Sequence, residues 1–324
     1  VVVAVFDTGV DLTHPDLVDN ISANNNYDWN GVDTDPSPDV TVDFHGTSVA
    51  GLAAARDNNT TGVVGVAPRA TLYGLRLIAL PETDQDDADA MAWKNDIIQI
   101  KNNSWGPADG YPSYLGYAGS LWENAVADGT AAGRGGLGTI YVFAAGNGKS
   151  YGDQGSKDAF AGNVNVIPVS AITNQGVSTY YSEGGAHIVT CAPGGDGTTG
   201  IVTTDLAGNN GYNTNTTTGE LGNRDYTKKF DGTSAAAPLV SVLGAHVAPP
   251  QLLAVGAQAQ QVGPVLIADV VERADLGLLR DQQRDLVGVE LLSDGGPVRG
   301  TQRGQRATPQ DVAHAIQFDH EEIE

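Results

Sequence analysis

Six short runs rich in valine and isoleucine recur along the 324-residue chain, separated by segments long enough to carry a crossover. They are residues 1–6 (VVVAVF), 70–78 (ATLYGLRLI), 96–100 (DIIQI), 139–145 (TIYVFAA), 164–172 (VNVIPVSAI) and 186–192 (AHIVTCA). Near-continuous apolar runs of this length read as strands buried on both faces. Residues 45–56, 84–95, 117–129 and 234–247 have helical patterns between them. Strands joined by such crossovers pair in parallel. The pattern therefore predicts an α/β domain, with a mostly parallel central sheet flanked by helices. Glycine and asparagine crowd residues 195–223, which are expected to form a long surface loop with one hairpin.

Composition narrows what such a domain can meet. The hydrophobic share of 40% allows a substantial core, and the net charge is −22. That charge repels nucleic acid and anionic membrane and attracts a basic substrate, although it equally serves plain solubility. A single cysteine, Cys191, rules out a disulfide within the chain. No apolar run approaches the ~20 residues of a membrane span, and a monomer is expected. The chain opens on an apolar run with no initiator Met, which reads as a start inside a folded domain with any leader outside it.

Composition changes near residue 248, where "APPQ" stops the last helical pattern. Residues 251–324 contain one aromatic, Phe318, and hold six of the eleven arginines but no lysine. We expect residues 1–247 to form the domain and 251–324 to be an atypical, weakly ordered tail.

Four residues stand in settings that suggest chemistry. Asp7 ends the first strand, where sites collect in open parallel sheets, or else is an ordinary turn aspartate. His45 opens "HGTSVAGLAAA", a helix whose small residues allow close approach to another backbone. Asn147 ends "VFAAGNG", where it adopts a left-handed turn or turns its amide into a cleft. Ser234 starts the helix of "GTSAAAP", with backbone N–H groups and the helix dipole beside its hydroxyl. The alanines after it are expected to keep the approach clear for a substrate carbonyl.

Asp, His and Ser in this chain order occur in the subtilisin form of the serine triad. "VAVFDTGVDLTHPDL", "HGTSVAG", "AAGNG" and "GTSAAAP" all resemble the subtilisin-like serine proteases. The resemblance implies a three-layer subtilisin-like fold. In it Asp7 orients His45, His45 takes the proton of Ser234, and the Asn147 amide with the Ser234 N–H binds the oxyanion. "NNSWGPADG", "GRGGLGTIYVFAAGNG", "YYSEGGA" and "IVTTDL" are similar to the kexin and furin branch, the proprotein convertases. That implies a secreted or cell-surface peptidase, made with a propeptide, acting on peptide or protein substrates after Arg or Lys. Asp158 would meet the basic side chain, and Ser104, Trp105, Gly106 and Pro107 would supply the backbone edge that pairs with substrate.

Calcium is implied twice by the same resemblance. Asp109, Asp153 and Glu183 match ligands beneath the specificity pocket, where "PADG" is one residue shorter than the branch's pattern. Asp16, the Asn59 side chain and the carbonyls of Asp57, Thr61 and Val63 match a second site, with a donor set that suits Ca²⁺. Solvated loop acids and a polar turn are the plainer readings of these two groups.

The chain also departs from the branch. Thr8 stands where convertases carry a second aspartate, so strict dibasic cleavage is not implied. Val49 replaces a cysteine, and the tail matches nothing in the branch, which suggests a change of reading frame near residues 241–248. The encoding DNA tests that idea. Two rival readings stand: a broad-specificity subtilisin preferring Leu or Phe, and an inactive calcium- and peptide-binding fragment.

Overall fold

A computed structural model of the chain describes residues 1–38, 42–111 and 115–247, with side chains to residue 242. The expected tail at 251–324 lies outside the described residues. Seven strands form one sheet in the order β2-β3-β1-β4-β5-β6-β7, every pair parallel. These are β1 (Val2–Asp7), β2 (Tyr27–Asp28), β3 (Thr71–Arg76), β4 (Ile100–Asn103), β5 (Ile140–Ala144), β6 (Val166–Ile172) and β7 (Thr190–Pro193). The helices are α1 (His45–Ala54), α2 (Asp84–Ala92), α3 (Ser120–Gly136) and α4 (Thr233–Val247).

Alternation along β1 shows why there are three layers. Val3 and Val5 face a core shared with α1 and α4. Ala4 and Phe6 face a second core with Met91 of α2 and Trp122 of α3. Strand order reverses at β1, which β3 and β4 flank, and ligand sites of open parallel sheets lie at the carboxyl end of such a strand. Asp7 is the last residue of β1.

The expected strand at 96–100 is displaced to Ile100–Asn103. Its polar stretch Lys101-Asn102-Asn103 hid it, yet all three side chains are fully buried. The Lys101 ammonium donates to the carbonyls of Ala90, Met91 and Trp93 at 3.1, 2.7 and 2.8 Å, so it caps the carboxyl end of α2. Burial holds its pKa well below the usual lysine value. The strand expected at 186–192 shortens to Thr190–Pro193, because the Ile188 amide bonds back to the Gly185 carbonyl in a turn. Helix α3 starts three residues later than expected. The Asp84 carboxylate, which accepts from the Leu121 and Trp122 amides, fixes its amino end from outside. The expected hairpin runs past residue 223: β8 (Ile201–Thr204) and β9 (Tyr226–Phe230) pair antiparallel.

One expectation about α4 is overturned. Ala235, Ala236 and Ala237 are fully buried in the core beneath the sheet and do not flank the substrate path. They are small because the helix packs against the strands at that depth.

Candidate active site

Asp7 and His45 meet. His45 Nδ1 donates to Asp7 Oδ1 across 2.8 Å, and the Thr8 amide donates to the same oxygen at 2.7 Å. Asp7 is fully buried, so its carboxylate keeps one orientation. Gly46 makes this approach possible, since a Cβ there would lie 2.2 Å from the Gly9 carbonyl oxygen and 2.9 Å from Asp7 Cβ. Desolvation is the largest influence on His45 and lowers its pKa. The Asp7 charge and hydrogen bond together outweigh it, and the net result is a pKa raised above 6.5.

Ser234 is the second residue of α4. Its hydroxyl donates to the Ser104 carbonyl at 2.9 Å rather than to His45. In return the Ser104 hydroxyl donates to the Ser234 carbonyl at 3.0 Å. Pro238 explains why that carbonyl is available. In a regular helix the N–H four residues on would take it, and proline has none. The reciprocal pair ties the start of α4 to the end of β4. Upstream, the Gly232 amide donates to the Tyr181 hydroxyl at 3.1 Å, and that hydroxyl donates to the Gly194 carbonyl at 2.6 Å. Tyr181 thereby fixes the Gly232 turn, whose φ of +94° suits glycine.

Asn147 does not take the left-handed conformation, which falls instead on Gly146 at φ +97°. Its amide is oriented by Thr233, whose N–H and hydroxyl both donate to Asn147 Oδ1, at 2.8 and 2.9 Å. A backbone N–H can only donate, so the atom facing it is the oxygen, and the Nδ2 donor is left for the cleft.

A cavity of about 250 Å³ opens beside Ser234 and is lined by Asn147, Asp158 and the whole Ser104–Pro107 segment. Burial, the largest influence, pushes the Asp158 carboxyl up to about 6, against the Phe160 and Ala161 amides that favour its charge. Gly106 forms the facing wall, where a Cβ would lie 3.1 Å from Asp158 Oδ2. Trp105 packs edge-on to Phe143 and Phe160, which anchors that wall in the core.

Asp109, Asp153 and Glu183 border the same cavity and bring one oxygen each within 4.8 Å of the others. The shorter "PADG" thus does not keep Asp109 away. Asp153 Oδ1 is buried with no hydrogen-bond partner. Burial pushes Glu183 up to about 7, and the charges of Asp109, Asp153 and Asp158 add to it, while the Gly148 amide opposes them. Three converging carboxylates with an orphaned oxygen fit a hard divalent cation.

The second expected site assembles differently. Asp16 and the loop at 57–63 do come together, but both Asp16 oxygens already accept hydrogen bonds, from Asn59 Nδ2 at 2.6 Å and the Val63 amide at 2.8 Å. Asn59 Oδ1 instead accepts from the Thr61 amide at 3.1 Å. Asn59 thus turns its amide nitrogen toward Asp16 and its oxygen toward Thr61, and offering an oxygen to a cation beside Asp16 would require that amide to turn over.

Ser104 as a side-chain tether, Thr233, Tyr181 and Lys101 escaped the sequence reading. Pro238, four residues after Ser234, is the one sequence signal that points to the Ser104 tether.

The family model described as the subtilase family matches residues 1–262. Furin-like protease 1, isoform 1-CRR, of Drosophila melanogaster is 34% identical over 252 residues, spanning 76% of this chain and 21% of that protein. Kexin of Saccharomyces cerevisiae is 33% identical over 241 residues, spanning 74% of this chain and 28% of that protein. The crystal structure of a serine protease of Aeromonas sobria superposes with a TM-score of 0.66 at 29% identity, covering 83% of this chain and 49% of that one. The chain spans about a fifth of the length of the furin-like relative.

Proposed function

The chain belongs to the subtilase family, with relatives of furin and kexin type, and on that premise we propose that it is a serine endopeptidase cutting after Arg or Lys. One observation carries the specificity: a carboxylate, Asp158, lines the cavity that also holds Ser234 and Asn147. A guanidinium entering there gains a charge-assisted, bidentate contact in place of water.

Catalysis needs one rearrangement. The Ser234 hydroxyl turns from the Ser104 carbonyl to His45, exchanging one neutral hydrogen bond for another, a change of about 1 kcal/mol. His45 then takes its proton as Ser234 attacks the substrate carbonyl. Asn147 Nδ2 and the Ser234 N–H hold the oxyanion. His45 returns the proton to the leaving amine, and water hydrolyses the acyl-enzyme by the same route. Replacing Asn147 by Leu removes one oxyanion donor, with an expected loss of about 10²–10³ in kcat and little change in KM, the scale known for this donor in subtilisin. Single-turnover kinetics check it.

The specificity test is Asp158→Asn assayed on paired peptides with Arg or Leu before the cut. Wild type favours Arg, and the variant loses about 10² of that preference. The preference in wild type also fades as pH falls through about 6, because a protonated Asp158 is neutral and cannot pair with the cation. A preference unchanged by the variant would reject this reading in favour of a broad-specificity subtilisin.

A calcium ion held by Asp109, Asp153 and Glu183 would neutralise their mutual repulsion and brace the wall of the specificity cavity. Chelation is then expected to lower Tm by about 5–10 °C, read by calorimetry with and without EDTA. We further propose that the protein works in the secretory pathway or at the cell surface, that a propeptide accompanies its folding, and that peptides or proteins are its substrates. No helix among the described residues is long and apolar enough to cross a membrane.

A further inference from the structure

The carboxylate of Asp7 is held by one oxygen only. Its Oδ1 accepts from the Thr8 amide and from His45, while its Oδ2 is buried with no hydrogen-bond partner. Its orientation toward the imidazole therefore depends on where Thr8 is placed. Thr8 also reaches the helix that carries His45, because its hydroxyl accepts from the Gly46 amide at 3.3 Å.

Arg76 governs that placement. It is the last residue of β3 and lies opposite Asp7 in the parallel register. Its side chain is 3% exposed, and the guanidinium donates in three directions. Nε donates to the Thr8 carbonyl at 3.3 Å, one residue past the acid. Nη2 donates to the buried Asp43 carboxylate at 3.0 Å, two residues before His45. Nη1 donates to the buried Asp28 carboxylate at 3.0 Å, at the end of β2. Asp28 is itself fixed, since its other oxygen accepts from the Asn30 amide at 2.7 Å. Phe44, which precedes α1, makes no side-chain capping bond, so the Asp43 contact anchors the entry to that helix from outside.

A planar guanidinium with five donors serves three acceptors at once, and an ammonium on a flexible stem does not reproduce that geometry. Replacing a buried ionic network by apolar residues is often neutral or stabilising, so stability alone does not account for this one. We propose that Arg76 is a positioning residue for the hydrolytic reaction. It grips the backbone beside Asp7 and the carboxylate before His45, and so sets the spacing and orientation of the pair. It does not border the Asp158 cavity, so its influence falls on the chemistry and not on the choice of substrate. This rests on the reading of Asp7, His45 and Ser234 as the catalytic triad.

Two variants test it. Arg76→Met combined with Asp28→Asn and Asp43→Asn leaves no charge of the network buried and unpaired, and Arg76→Lys keeps the charge without the fork. Circular dichroism reports folding. The triple variant is expected to lose about 10² in kcat, the scale of a small misplacement of reacting groups, with KM and the preference for Arg over Leu before the cut retained. The rate of fluorophosphonate labelling of Ser234 against pH gives the second readout. Asp7 holds the His45 pKa above 6.5, so loosening its grip should move the midpoint of the acid limb downward. Arg76→Lys should show both changes in smaller degree, and it carries the test alone if the triple variant does not fold. A lower Tm with kcat and midpoint unchanged would make Arg76 purely structural and overturn the proposal. A midpoint that rises would overturn it too, because removing a nearby cation acts in that direction by charge alone. Failure of both variants to fold would assign Arg76 to the fold and overturn it as well. Failure of the triad reading appears separately, as wild-type labelling with no acid limb or labelling that survives Ser234→Ala.

Discussion

Ser234→Ala is expected to lower kcat by about 10⁶-fold, the scale seen when a subtilisin loses its nucleophile. A residue of activity above the uncatalysed rate, about 10³–10⁴, remains from the oxyanion donors and substrate positioning. The same variant should abolish fluorophosphonate labelling. Its fold should survive. The lost hydroxyl leaves the Ser104 carbonyl without that donor, at a cost of about 1–3 kcal/mol, while the return bond from Ser104 to the Ser234 carbonyl is untouched. Circular dichroism and Tm therefore separate loss of chemistry from loss of structure. Undiminished cleavage by a folded Ser234→Ala protein would remove this hydroxyl from the mechanism.

Asp7→Asn follows with an expected loss of about 10⁴ in kcat, because an amide would stabilise the wrong imidazole tautomer. Its pH profile is the sharper measurement. In the proposed mechanism His45 must be neutral to accept the Ser234 proton, so kcat/KM is expected to rise with pH through its pKa. In the wild type Asp7 holds that pKa above 6.5 against the opposing effect of burial. Removing the charge leaves burial alone, and the midpoint should fall below 6.5. A variant profile with the same midpoint as wild type would show that another group sets the acid limb.

The sheet was legible because its strands are apolar runs, and β4 was displaced because it is not one. Lys101 reads as surface until the three carbonyls that receive it are known, and those belong to a helix end the sequence places only approximately. Strand β2 is two residues long and leaves no periodic trace. The Asp7–His45 contact could be anticipated from motif order. The meeting of Asp109, Asp153 and Glu183 could come only from resemblance, since no local pattern links three loops so far apart in the chain. The alanines after Ser234 read as serving substrate access, because a motif names small residues without saying what presses on them. The Asn59 amide was expected to offer oxygen, and its orientation depends on hydrogen bonds to Asp16 and Thr61 that spacing does not reveal.

The contact beneath Gly46 bears on how relatives of this chain should be recognised. With the Gly9 carbonyl 2.2 Å from any added methyl, that glycine is required by the backbone beside it whether or not the Asp7–His45 pair is put to use. A descendant that had abandoned proteolysis could exchange its imidazole freely yet could not exchange the neighbour without moving a helix. Degenerate, non-enzymatic cousins should therefore preserve the second letter of "HGT" after losing the first, and surveys keyed to the glycine would gather them where surveys keyed to the histidine pass them by.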